Sequence, residues 1–268
     1  MEMFHYDFMI KAFLAAGLIS IIAPVLGLYL ILRRQSLVAD TLSHVSLSGV
    51  ALGLILGLNP TLTTMVFIAI MALVLDYLRY IYKSYSELSM AFVMSGGMAL
   101  SFILLSINQS ASATVNQFLF GSIVTVSNQQ LLFLLVLTVI IIALYTIFKK
   151  PMYVLTFDEE TAFVQGLPTR LMSQVFMVLT GLAIALMMPT VGVLLVSAIL
   201  IFPAAIAMRL VTGFTKVILL GISIALIGMF SGLTASYYYD TPPGATIVMI
   251  YILIFSLSLI IQKIKAKI

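Results

Sequence analysis

Apolar runs of about 20 residues recur along this 268-residue chain, and its basic side chains lie between these runs or within three residues of their ends. Nine runs can be placed, at 11–32, 37–57, 60–80, 88–107, 128–148, 170–188, 190–210, 214–235 and 244–262. A helix rising about 1.5 Å per residue over such a length crosses a hydrocarbon core about 30 Å thick. With 63% hydrophobic and only 8% charged residues, the chain lacks the polar surface to close a water-soluble globule of its size. The expectation is an all-α polytopic membrane protein with about nine transmembrane helices. No linker, composition shift or short-period repeat divides it, so residues 1–268 read as one domain.

Charge placement orients the spans. With the amino terminus outside and the carboxyl terminus inside, the inner loops hold Arg33, Arg34, Arg79, Lys83, Lys149, Lys150, Arg170, Arg209, Lys216, Lys263, Lys265 and Lys267. Lys11 alone falls outside. The positive-inside rule thus supports both the odd span count and the orientation, because one missed or invented span scatters these residues over both faces. It also accounts for a pI near 9.2 without nucleic acid. Glu2 and Asp7 precede the first run where a signal peptide needs a basic region, so that run is expected to remain as a span. Cysteine is absent, which excludes disulfides and thiolate metal sites.

Against this background Asp40 and His44 stand out, one helical turn apart in the second run. A carboxylate near the centre of a membrane helix costs roughly 2.5 to 3.5 kcal/mol on insertion scales, so ionisable groups there mark ion or substrate paths. Counting from Arg33 and Arg34, Asp40 lies roughly 10 Å and His44 roughly 15 Å into the core. The i, i+4 spacing puts both on one face, with Ser36, Ser43 and Ser48 on the same stripe. Imidazole nitrogen with carboxylate oxygen suits zinc, manganese or iron(II), whereas an all-oxygen set suits magnesium or calcium. Two ligands are too few for zinc, and two copies facing each other across a two-fold axis complete an N2O2 set. The spacing alone leaves three readings open: metal transit, a proton relay in a secondary transporter, and an internal pair that fixes packing. On another face Gly49, Gly53 and Gly57 repeat every four residues, a pattern for close helix packing.

Two loops differ in kind. Between Asn108 and Gln130 lies an uncharged Ser, Asn, Gln and Thr-rich stretch ending in Phe118-Leu119-Phe120-Gly121-Ser122, which suits an external, partly re-entrant loop. Between Lys149 and Arg170, Thr156-Phe157-Asp158-Glu159 has capping-box spacing, Asp158, Glu159 and Glu160 fill a first turn, and Gly166 and Pro168 supply a stop. A short cytoplasmic helix is predicted there. No H-E-x-x-H occurs, Ser46-Leu47-Ser48-Gly49 half-matches an intramembrane serine protease motif, and no P-loop is present. An enzymatic reading is therefore not expected, and any ATP must be held by a partner.

The run from Leu32 through Arg33-Arg34-Gln35-Ser36-Leu37 and Asp40-Thr41-Leu42-Ser43-His44 to Ala51 resembles the signature of zinc and manganese permeases of the ATP-binding-cassette importers. Similar stretches run from Phe157-Asp158-Glu159-Glu160 to Gly166-Leu167-Pro168, from Val191-Gly192 through Ser197-Ala198 to Pro203-Ala204, and from Ser231-Gly232 through Asp240 to Gly244. The Gln-Ser-Leu and Thr-Leu-Ser-His choices look most like zinc permeases of Gram-positive bacteria. The resemblance implies a cell-membrane homodimer bound to two cytoplasmic ATPase subunits and fed by an extracellular metal-binding lipoprotein. It implies that Asp40 and His44 are the metal-path pair. It further implies that a coupling helix at about 157–168 docks on the ATPase through Asp158, Glu159, Glu160, Phe163, Gly166 and Leu167. Tyr237 to Gly244 would help receive the lipoprotein, unless its tyrosines form only an interfacial belt. No cofactor is expected to be permanently bound; the cargo is a zinc or manganese ion.

Overall fold

A computed structural model describes residues 2–82, 85–107, 117–122 and 126–265. Among the described residues nine helices are long and apolar enough to cross a membrane. They are α1 (Asp7–Leu32), α2 (Ser36–Leu56), α3 (Pro60–Ile81), α4 (Ser86–Ile107), α5 (Asn128–Phe157), α7 (Thr169–Val191), α8 (Val193–Leu210), α9 (Phe214–Tyr239) and α10 (Pro243–Lys265). A six-residue helix α6 (Glu159–Val164) lies between α5 and α7. All nine spans expected from the sequence are present. Most boundaries shift by a few residues.

The fifth span departs most. It continues nine residues past 148, because Pro151 bends the helix without ending it: the ring removes one backbone donor and crowds the carbonyl one turn back. The strain is absorbed at Phe148, whose φ of −101° and ψ of 16° leave helical geometry. Thr156 consequently lies inside α5 and returns its hydroxyl to Met152 O at 2.6 Å, so it does not cap the next helix as its spacing had implied. That role passes to Asp158, whose carboxylate accepts from Thr161 N at 2.9 Å.

Burial orders the bundle. Helices α1, α2 and α7 are mostly enclosed, whereas α4 and α5 present most of their surface outward. One group forms as α2 packs against α3 and α4 and α3 packs against α7; a second forms as α1 packs against α8 and α9 and α10 joins them. Helix α2 also touches α8, and that seam joins the groups. Lipid tails are as apolar as leucine, so close approach of small residues drives such packing. Gly27 of α1 shows this: a Cβ there would fall 2.0 Å from the Leu200 carbonyl oxygen of α8.

Of the 108–130 loop, 108–116 and 123–125 lie outside the described residues. The part in view makes a helical turn at 117–120. It then presses Gly121 against the α7–α8 junction, where a Cβ would meet Val191 C at 2.4 Å, while Ser122 N donates to Pro189 O at 3.0 Å. The segment is thus held by neighbours at its Gly121 end.

Candidate metal-transit site

Helix α2 carries the site, and its ends explain its placement. The Gln35 side chain makes no cap bond to it. With its amide oxygen turned to Arg79, Gln35 instead accepts from Nη1 at 3.2 Å and Nη2 at 2.6 Å, tying the start of α2 to the end of α3. Along its length Gly49 and Gly53 lie on α3, where added Cβ atoms would meet Thr64 Cα and Pro60 Cα, both at 2.8 Å. Gly57 departs from the packing pattern expected of the three glycines. It closes the helix with φ of 64°, and a Cβ there meets nothing within 4 Å.

Asp40 and His44 come together on α2, with His44 Nε2 3.7 Å from Asp40 Oδ1. A cation bonded to both at about 2.0 to 2.2 Å spans that separation. Their side chains are 38% and 15% exposed on a helix whose neighbouring positions Val38, Ala39, Thr41, Leu42, Ser43 and Val45 are buried. Helix α2 therefore keeps Ser36, Asp40 and His44 partly accessible beside the exposed Leu37, while the rest of this stretch is buried.

The serines of the stripe divide. Ser36 stays partly accessible, but Ser43 and Ser48 turn into the protein, donating to Ala39 O at 2.7 Å and Gly97 O at 2.6 Å. A membrane interior offers no water to these hydroxyls, so backbone carbonyls satisfy them. The polar path side of α2 is accordingly narrower than its sequence implies. Across the seam, Ser197 of α8 donates to Asp40 Oδ1 at 3.3 Å. Ser197 lies in the Val191 to Ala198 stretch that resembled the permeases, yet spacing gave no reason to pair it with a residue 157 positions away. Among the described residues no three His, Cys, Asp or Glu side chains gather, so one chain offers only this pair.

The segment after α5 forms a compact projection. Asp158 caps α6, and hydrogen bonds from the Thr161 hydroxyl and N–H hold its carboxyl below the ordinary carboxylate range. At the other end Gly166, with φ of 77°, lets its N–H reach Phe163 O at 2.9 Å while Leu167 N–H reaches Ala162 O at 3.2 Å. This is a Schellman stop, a left-handed turn that a side chain at Gly166 would strain. Leu167, expected on the partner-facing side, packs inward with Leu155, Ala162 and Met172. Phe163 and Val164 are the apolar side chains left outward, 71% and 83% exposed. Glu159 faces a cavity with Arg33 and Arg79, and Glu160 is exposed.

Comparison with known proteins agrees with this architecture. Residues 5–262 match the ABC 3 transport family. A manganese transport system membrane protein of Listeria innocua is 31% identical over 94% of this chain and 89% of its own. A probable metal transport system membrane protein of Treponema pallidum is 29% identical over 98% of both chains. The fold superposes on a chain of PsaBC from Streptococcus pneumoniae, solved in complex with Fab, with a TM-score of 0.83 and 30% identity over 94% of this chain and 91% of that one. Relatives carry manganese, iron and zinc in their names. Such relatives are membrane subunits whose ATPase activity resides on a separate subunit. The chain belongs to the ABC 3 transport family, as a multi-pass cell-membrane permease subunit of a metal importer.

Proposed function

We propose that this permease imports zinc, and that Asp40 and His44 of two facing copies form the transit site. The observation that carries the reading is the part-buried Asp40 and His44 pair on a largely enclosed stretch of α2, its nitrogen and oxygen 3.7 Å apart. A nitrogen and an oxygen ligand from each copy supply four donors, the number zinc takes in most protein sites. Ser197 holds the Asp40 carboxylate in place, the kind of outer partner that orients metal ligands. The choice of zinc over manganese rests on the resemblance around Gln35-Ser36-Leu37 and Thr41 to His44, since these donors accept either ion.

An extracellular binding lipoprotein delivers the ion at the Tyr237 to Gly244 end, and the paired ligands replace part of its water shell. At the opposite, cytoplasmic end α6 docks on the ATPase through Phe163 and Val164. ATP binding and hydrolysis move α6, and with it the helices that set access to the site.

Uptake of radiolabelled zinc in cells lacking other importers tests the site. Asp40→Ala and His44→Ala are expected to abolish it at normal protein abundance; unchanged uptake overturns the assignment. Offering zinc and manganese together to the reconstituted complex tests the metal, and preferential manganese accumulation makes this a manganese importer. A pH gradient imposed on vesicles holding the permease without its ATPase should drive no uptake. If it does, Asp40 and His44 serve as a proton relay.

A further inference from the structure

Beneath the start of α2 lies a polar-walled cavity of about 230 Å³ where Arg33, Arg34, Gln35, Arg79, Thr156 and Glu159 meet. Arg33 and Arg79 lie close enough to Glu159 and Asp76 to feel both charges, and Arg34 lines the same cavity. Asp76 is engaged through Ser173, which accepts from Arg33 Nη2 at 3.4 Å and donates to Asp76 Oδ1 at 2.9 Å. Glu159 forms no ion pair with these arginines. Arg33 Nη1 and Arg79 Nε are buried without an acceptor. Buried guanidinium donors without acceptors are uncommon in native proteins, and charged ones least tolerated of all. Burial pulls the Arg33 guanidinium below its ordinary pKa, against the opposing pull of Glu159 and Asp76. Arg34, at the cavity wall, holds a left-handed backbone with φ of 55°. Non-glycine residues keep that conformation where surrounding structure enforces it, and such positions cluster at ligand clamps.

We infer that this cavity binds a phosphate group, held by Arg33, Arg34 and Arg79. Planar guanidinium forks match the oxygens of a tetrahedral phosphate two at a time. Three positive charges against Glu159 and the nearby Asp76 leave an excess of one, which suits the single charge of a lipid phosphodiester or a phosphate monoanion. The cavity lies at the Leu32, Ser36 and Ile81 ends of α1, α2 and α3, and basic pockets between spans near a membrane surface take anionic headgroups. The phosphate therefore comes from an anionic phospholipid or from free phosphate. Because Gln35 and Arg79 join α2 to α3 and Glu159 begins α6, an anion bound here competes with Glu159 for the arginines at the point where α6 meets the helix that carries Asp40.

The test uses the full permease with its ATPase, purified in uncharged detergent and stripped of lipid. It is titrated separately with short-chain phosphatidylglycerol, short-chain phosphatidylcholine and inorganic phosphate, and followed by thermal shift and native mass spectrometry. Binding of phosphatidylglycerol over phosphatidylcholine identifies a lipid source, and binding of inorganic phosphate identifies a free one; either supports the site. Arg33→Gln with Arg79→Gln should weaken the bound species by about tenfold or more. Glu159→Gln removes the competing carboxylate and should tighten binding severalfold, a gain that misfolding cannot imitate. The proposal falls if neither anion binds, if phosphatidylcholine binds as well as phosphatidylglycerol with no response to phosphate, or if Glu159→Gln leaves affinity unchanged or weaker.

Discussion

At the scale of the residue, the proposed transit site rests on side chains that the membrane makes costly. Asp40 and His44 are retained in α2 although hydrocarbon disfavours both, and Ser197 reaches Asp40 across the seam at 3.3 Å. Ser197→Ala should lower zinc uptake by about tenfold with protein abundance unchanged, because the carboxylate loses a partner that orients it. Uptake by membrane vesicles at equal protein checks this. Acidification should weaken zinc binding by the complex, since a protonated imidazole has no lone pair for the metal, and saturating zinc should oppose that loss. Metal titrations across a pH series, with His44→Ala as the control that removes the effect, measure it. The acid and imidazole were legible in the sequence because charge in an apolar run is conspicuous. Ser197 was not, because serine is common in membrane helices and only the fold brings α8 to α2.

At the scale of the element, glycine spacing and helix ends decide how spans meet and stop. Gly49→Ala or Gly53→Ala should destabilise the α2–α3 contact by about 1 to 3 kcal/mol, since each Cβ would press on backbone 2.8 Å away. Gly57→Ala should leave that contact intact, as nothing lies near it, and should strain only the left-handed turn. Thermal unfolding in detergent separates the two effects. Helix α6 is too short to persist by propensity alone, so its cap, its Schellman stop and the inward packing of Ala162 and Leu167 maintain it. The Asp158 carboxyl titrates below its ordinary value of 3.8 in the folded chain. Its contribution is therefore fully present above that value and is lost as pH falls through the lowered folded one. Asp158→Ala should raise amide hydrogen exchange at Thr161 near neutral pH, and the wild type should approach the variant only in strong acid.

At the scale of the whole molecule, the two copies are expected to meet along the partly accessible Ser36, Asp40 and His44 line of α2. The chain contains no cysteine, so Ser36→Cys introduces a single thiol. Oxidation should cross-link two copies, while a thiol placed at Phe92 of α4, 72% exposed, should not. Gel mobility under non-reducing conditions checks both. The sequence by itself determined that the chain spans a membrane nine times as helices, where each span lies, and which two side chains break the apolar rule. These follow from local hydropathy, because a bilayer tests every 20-residue segment separately. Tertiary structure alone decided that Ser43 and Ser48 turn inward, that Leu167 packs back while Phe163 and Val164 stay outward, that Thr156 yields its cap to Asp158, and that Arg33, Arg79 and Glu159 share a cavity. In lipid the hydrophobic effect does not distinguish one apolar face from another. Which faces meet is settled by close packing and hydrogen bonds between segments far apart in the chain, and helical spacing carries no record of them.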